Sequence, residues 1–206
     1  MINQAYRLIA PKQIRTDFVD LPIDDENVVV RPTYLSICAA DQRYYTGSRG
    51  RVVMKQKLPM SLIHEAVGEV VYDPKGEYDV GTNVVMIPNT PMEKDDIIKE
   101  NYLRTSKFRA SGFDGFMQNV VSMRRDLIIP FHVESRVAVL LELTSVVMNA
   151  VENFKLEAHE RKDVIGIWGN GNLGFISALV LKKSFPDTKV IVFGVEEHKM
   201  AYFSFV

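Results

Sequence analysis

Four residues in this sequence have side chains suited to metal chemistry: Cys38, His64, Glu65 and Glu142. A thiolate, an imidazole and a carboxylate from Glu65 or Glu142 make the mixed sulfur, nitrogen and oxygen shell that zinc accepts. Three such ligands leave a fourth position open for water or a substrate oxygen, and there the metal polarises a carbonyl. Cys38 is the only cysteine of the 206 residues, so an intramolecular disulfide is excluded and a metal site must draw mostly on His, Asp and Glu. A lone cysteine is more often a small buried apolar residue than a ligand, so its neighbours must decide. Glu142 lies on an otherwise apolar helical face, where an unpaired carboxylate is expensive. Arg43, Arg49 and Arg51 follow the cysteine closely, and their guanidinium groups can grip a phosphate bidentately.

A second group of residues suits a nucleotide. Gly169-Asn170-Gly171-Asn172-Leu173-Gly174 reads G-x-G-x-x-G between an expected strand and an expected helix. The first glycine permits a tight turn, the second lets backbone approach a pyrophosphate, and the third lets helix and strand pack closely. The helix N-terminus adds N–H donors and positive potential. An NAD site expects an acid near the end of the following strand, about 20 residues on. Here that position is Gly194, with His198 and Lys199 just beyond it as donors for a 2′-phosphate. This pattern favours NADP over NAD, with Glu196 and Glu197 as the acids that could take the ribose instead.

The elements that must position these groups change character along the chain. Up to about residue 130 the sequence reads as strands and turns, with β-branched and aromatic runs at Val28–Leu35, Val67–Tyr72 and Asn83–Ile87. Residues 89–112 are polar and aperiodic and read as a long excursion, partly helical at best. Apolar residues then recur at helical spacing from Ser135 to Phe154. Val164–Trp168 and Lys189–Phe193 are short runs without alternation, as strands buried on both faces should be, and a helix over Leu173–Ser184 joins them into a βαβ unit. The chain's end at Val206 falls partway into what should be the next helix. A hydrophobic share of 47%, a charged share of 25% and a net charge of −1 fit a globular enzyme and argue against nucleic acid or an anionic membrane as partner. The longest apolar runs fall far short of a membrane span, and the N-terminus lacks the pattern of a secretory signal.

Three segments, read in order ahead of the glycine loop, carry a family resemblance: Ile37-Cys38-Ala39-Ala40-Asp41, Ile63-His64-Glu65-Ala66-Val67-Gly68-Glu69-Val70, and the helix containing Glu142-Leu143-Thr144-Ser145-Val146-Val147. They resemble the medium-chain alcohol and polyol dehydrogenases, with their G-I-C-G-x-D, G-H-E-x-x-G-x-V and E-P-x-x-V-A-x-x-A motifs. The resemblance implies a mixed α/β protein. Residues 1–134 would form a GroES-like β-rich catalytic domain, and 135–206 a linking helix with the first, incomplete part of a Rossmann domain. It also implies that Cys38, His64 and Glu65 coordinate zinc, with Glu142 as a fourth or water-bridged ligand. Two departures bear on proton delivery, because Ala40 replaces the family's relay hydroxyl and Arg43 replaces a frequent histidine. A water held by Glu142, or Tyr44, which matches a tyrosine of the polyol branch, would then supply the proton. Residues 89–112 contain no cysteine, so a single zinc is expected.

Further likeness lies in Ser36–Arg49, Lys57–Glu65, Asp114–Gln118 and Gly166–Gly169, which resemble the ketose-phosphate reductase branch serving teichoic-acid and capsule synthesis. That implies zinc-assisted reduction of D-ribulose 5-phosphate to D-ribitol 5-phosphate by NADPH in the cytoplasm. The partners implied are a small sugar phosphate, a second copy of the full-length chain in a homodimer, and a cytidylyltransferase of the same pathway. The alternatives are an NAD-linked polyol dehydrogenase, or a truncated, non-catalytic zinc-binding remnant. These residues alone are expected to be inactive.

Overall fold

The valine-rich runs of the first half pair as antiparallel strands whose alternate residues meet in one core. The computed structural model describes residues 1–157 and 160–206, in two compact units, 1–140 and 141–206. In chain order the first unit contains β1 (Ile2–Ala10), β2 (Gln13–Asp20), β3 (Asn27–Ser36), α1 (Ala39–Thr46), α2 (Arg51–Lys57), β4 (Met60–Ser61) and β5 (Glu65–Tyr72). It continues through β6 (Asn83–Met86), β7 (Asn89–Thr90), β8 (Lys107–Phe108), β9 (Val121–Arg124), β10 (Ile128–Pro130) and α3 (Ser135–Ala138). Five strands form an antiparallel sheet in the order β10-β6-β5-β3-β9, and β2-β1-β4 form a second sheet. Val28, Val30, Val70, Val84, Phe116 and Met123 are fully buried at the centre of the larger sheet's core.

The register of β3 against β5 matters most for function. Ser36 pairs with Glu65 and Leu35 with Ala66, so β3 ends where β5 begins. The chain leaving β3 therefore carries Cys38 to the place where the chain entering β5 presents His64 and Glu65.

The second unit contains α4 (Leu141–Glu157), β11 (Val164–Trp168), α5 (Asn172–Ser184), β12 (Lys189–Phe193) and α6 (Glu197–Met200). β11 and β12 pair in parallel, Val164 to Lys189 through Trp168 to Phe193. Val147 and Val151 of α4, Ile176 and Leu181 of α5, and Ile165 and Val190 of the strands form the unit's core.

Two expectations change. The helix expected over 135–154 is two helices: α3 closes with Leu140 N–H donating to the Val137 carbonyl, a tight three-residue turn, before α4 begins. The strands of the βαβ unit are not buried on both faces, since Val164, Trp168 and Phe193 are exposed. An unbroken apolar run states how much apolar surface a strand carries; how much is covered depends on neighbouring elements, and each strand here is only partly covered. The stretch 89–112 holds the two-residue strands β7 and β8 and one 3-10 turn, Glu100–Tyr102. Among the described residues, no helix is long and apolar enough to cross a membrane.

Candidate active site

Cys38 stands at the N-cap of α1, and Asp41 three residues on accepts its backbone N–H at 3.0 Å, one half of a capping box. The other carboxylate oxygen of Asp41 accepts the Ile63 N–H at 2.9 Å. One buried acid, 3% exposed, thus ties the cysteine loop to the residue preceding His64. A second acid clasps the same loop. Asp114 accepts the Ser61 N–H at 2.8 Å and pairs with Arg7 at 2.5 Å. Beyond it the backbone N–H groups of Gly115, Phe116 and Met117 donate to the carbonyls of Ser61, Ile63 and Leu62. The Asp41–Cys38 bond follows a local capping spacing, but the bonds of Asp41 to Ile63 and of Asp114 to Ser61 run to backbone far away in sequence and leave no local pattern.

The result is a tight group of donors. Ligand atoms of Cys38, His64 and Glu65 all lie within 4.8 Å of one another, with Cys38 Sγ 3.6 Å from His64 Nε2. Glu65 is buried at the first residue of β5, and the His64 ring packs against Phe108 with centroids 5.1 Å apart. Burial, and then the hydrogen bond of the thiol to Asp41, push the Cys38 pKa up to about 11. A metal ion must displace that proton, and the set of one sulfur, one nitrogen and one carboxylate fits zinc chemically.

Ile63 has a backbone conformation that no local sequence pattern marks. Its φ is +71°, the left-handed region that a β-branched residue avoids, and it occupies the glycine position of the G-H-E pattern. Its side chain is buried with Leu8, Tyr44, Met54, Met60 and Leu62, while its N–H and carbonyl are both bonded. Packing and hydrogen bonds together hold a conformation that the residue alone would leave.

The other expected site residues lie as follows. Tyr44 is buried in that same apolar cluster, with the Arg49 guanidinium over its ring at 4.9 Å. Arg43 is exposed on α1 and Arg51 is exposed at the start of α2. Glu142 belongs to the second unit, in the first turn of α4, where Ser145 Oγ donates to its carbonyl at 2.7 Å.

The glycine loop runs from β11 into α5, with Gly171 as N-cap, Asn172 and Leu173 opening the helix, and Gly169 at φ +131°. A Cβ on Gly174 would stand 2.0 Å from the Gly169 carbonyl, which is the close packing the third glycine permits. Asn170 is buried and donates to the Glu196 carbonyl at 2.6 Å. A Cβ on Gly194 would come within 2.3 Å of Asn170 Cγ. The absence of an acid at 194 therefore has a steric cause, in addition to any electrostatic preference for a 2′-phosphate. Both donors expected for that phosphate already face Glu196: Lys199 Nζ at 2.7 Å and His198 Nε2 at 3.9 Å.

Known proteins resemble this arrangement closely. The chain is 52% identical over its whole length to ribulose-5-phosphate reductase of Bacillus spizizenii and 51% identical to ribulose-5-phosphate reductase 1 of Staphylococcus aureus. It spans 61% of the length of each, about three fifths of these curated relatives. The crystal structure of Staphylococcus aureus TarJ in complex with NADPH superimposes with a TM-score of 0.81 at 44% identity, covering 100% of this chain and 58% of that one. The model of the alcohol dehydrogenase GroES-like domain matches residues 24–133, more than half of the sequence, and so the chain belongs to that family, the catalytic-domain family of the medium-chain dehydrogenase/reductases.

Proposed function

We propose that this chain forms the metal site and cofactor loop of a reductase that converts D-ribulose 5-phosphate to D-ribitol 5-phosphate with NADPH. The observation that carries the reading is the Cys38, His64 and Glu65 group, in a chain half-identical to ribulose-5-phosphate reductases. The NADPH held by TarJ, a structure of the same fold at 44% identity, supports the choice of cofactor.

A zinc ion bound by Cys38, His64 and Glu65 would supply Lewis acidity toward the ketone oxygen of the substrate. Asp41 and Asp114 hold the two ligand loops against each other, so the donors need little reorganisation when loaded. Glu142 serves in this proposal as a fourth ligand or as the group that holds a proton-delivering water. Gly169, Gly171 and the first N–H groups of α5 would cradle the pyrophosphate of the cofactor, with Asn170 tying the loop to the Glu196 carbonyl. Lys199 and His198 would exchange the carboxylate of Glu196 for the 2′-phosphate, one anionic partner for another.

The test is a coupled assay of the full-length protein with NADPH or NADH and ribulose 5-phosphate, with the product identified by mass spectrometry. NADPH consumption matched by ribitol 5-phosphate is expected. Activity confined to polyol oxidation with NAD would replace this reading with that of an NAD-linked polyol dehydrogenase.

A further inference from the structure

A polar cavity of about 390 Å³ lies within the first unit, and one of its lining residues, Phe108, also touches the His64 ring. Lys57, Arg104, Lys107, Thr105, Ser111 and Phe108 line it, and no aspartate or glutamate does. Phe108 is the wall shared with the candidate metal site, since its other neighbour is the His64 ring, 5.1 Å away. Arg43, Arg49 and Arg51 do not line this cavity.

The cavity is built rather than incidental. Lys57 leaves the last turn of α2 and reaches the Ser111 carbonyl at 2.7 Å and its Oγ at 3.4 Å. Its stem passes over Gly112, which has φ +85° and whose Cβ would stand 2.7 Å from Lys57 Cδ. Glycine here meets two requirements at once, the left-handed backbone and the room for the lysine. The floor of the loop is braced by Arg109, only 8% exposed, which donates to the carbonyls of Asp114 and Ser122 and lies over Phe113 and Phe116. Among the described residues, Lys57, Arg104 and Lys107 make no ion pair, and Glu93 accepts the Thr105 hydroxyl at 3.2 Å.

Three cations and the hydroxyls of Thr105, Ser106 and Ser111, with no carboxylate among the lining residues, suit a dianion with several acceptor oxygens. We infer that the Lys57–Arg104–Lys107 cavity seats the phosphate of a phosphorylated substrate whose reacting carbon lies at the Cys38–His64–Glu65 group. This rests on the reductase reading above and moves phosphate recognition from the cysteine loop to the 104–112 excursion. Phe108 sets the spacing between phosphate and metal site, so the cavity selects a ketose carrying its phosphate several bonds from the carbonyl.

The test uses the full-length protein in two arms. In the kinetic arm, Arg104→Ala with Lys107→Ala raises KM for ribulose 5-phosphate at least tenfold, while kcat and KM for NADPH change less than twofold. Arg104→Lys alone stays within about threefold of wild type, and Arg43→Ala with Arg51→Ala leaves KM unchanged. An unchanged KM in the first double variant, with wild type active on ribulose 5-phosphate, overturns the inference and spares the reductase reading. In the binding arm, inorganic phosphate is titrated by calorimetry. Binding by wild type that is lost in Arg104→Ala with Lys107→Ala supports the cavity even where ribulose 5-phosphate is not reduced. No difference between the two proteins in phosphate binding overturns it.

Discussion

In residues 1–140 the candidate ligands stand at the ends of two neighbouring antiparallel strands, and the bonds that align them span 22 positions from Asp41 to Ile63 and 107 from Arg7 to Asp114. In residues 141–206 the glycine motif is six consecutive residues running from the end of one strand into the first turn of one helix, and Trp168 before it and Leu173 within it are exposed. The first site is a product of long-range pairing, with Asp41 and Glu65 buried; in the second the glycine spacing is local, although Asn170 ties the loop to the Glu196 carbonyl. A substitution in the first should therefore disturb ligands on several elements together, while one in the second should disturb the loop alone.

The largest effect should come from Cys38→Ser. Wild type is expected to carry close to one zinc per chain by elemental analysis, and loss of the only thiolate should weaken zinc by more than about 100-fold, beyond what an outer-shell change does. Glu65→Gln should also lower metal content, whereas Glu142→Gln should slow turnover more than it strips metal. Zinc retained at wild-type level in Cys38→Ser would remove the cysteine from the site. Next comes Asp41→Asn, which keeps a single acceptor for two backbone N–H groups. It should cost about 1–3 kcal/mol in a urea titration, the penalty of one buried unsatisfied donor, and weaken zinc at the same time. Stability lost with zinc affinity intact would mean that the ligand loops are held without Asp41.

The dinucleotide side is sharpened by Gly194→Ala. Its added methyl group must displace Asn170, so NADPH and NADH should weaken alike, by roughly tenfold for about 1.4 kcal/mol of loop distortion. Adding Asn170→Ala should recover part of that loss. A selective shift toward NADH would show instead that electrostatics at the ribose outweighs the steric contact. For the same reason Gly194→Asp is a poor test of cofactor preference, since its methylene meets Asn170 before its charge meets a phosphate.

The smallest effect concerns Ile63. Ile63→Ala loses buried volume and keeps the unfavourable φ, whereas Ile63→Gly loses the same packing and relieves the strain. The glycine variant should therefore be more stable than the alanine variant by about 1 kcal/mol in a urea titration, the reverse of the usual order. If alanine is the more stable of the two, the left-handed backbone at Ile63 carries no strain worth relieving.

The strands β3, β5 and β6 were legible in the sequence because β-branched runs end at turn residues, and β11, α5 and β12 because periodicity and the glycine spacing agree. The β1–β2 hairpin was not singled out. Its alternation is weak, with Ile14 and Phe18 exposed, so its identity depends on pairing with the chain itself. The break between α3 and α4 was invisible because apolar periodicity runs through it and neither proline nor glycine marks it.

The order of chemical groups belongs to the sequence alone: a cysteine loop, a His-Glu pair, a helix with a lone acid, then the glycine loop. Each is a short string, and side-chain type with local spacing is enough to read it. What only the tertiary structure decided is which of these groups meet and what supports them. The β3–β5 register brings Cys38 to His64 and Glu65, Asp41 and Asp114 hold the loops, and the Asn170 side chain fills the space a Cβ would need at 194. The basic cavity of Lys57, Arg104 and Lys107 arises because residues about fifty positions apart, on a helix end and an irregular loop, converge without any sequence period to announce it. Contacts of that kind depend on where the whole chain folds, and a linear pattern records only what lies within a few residues.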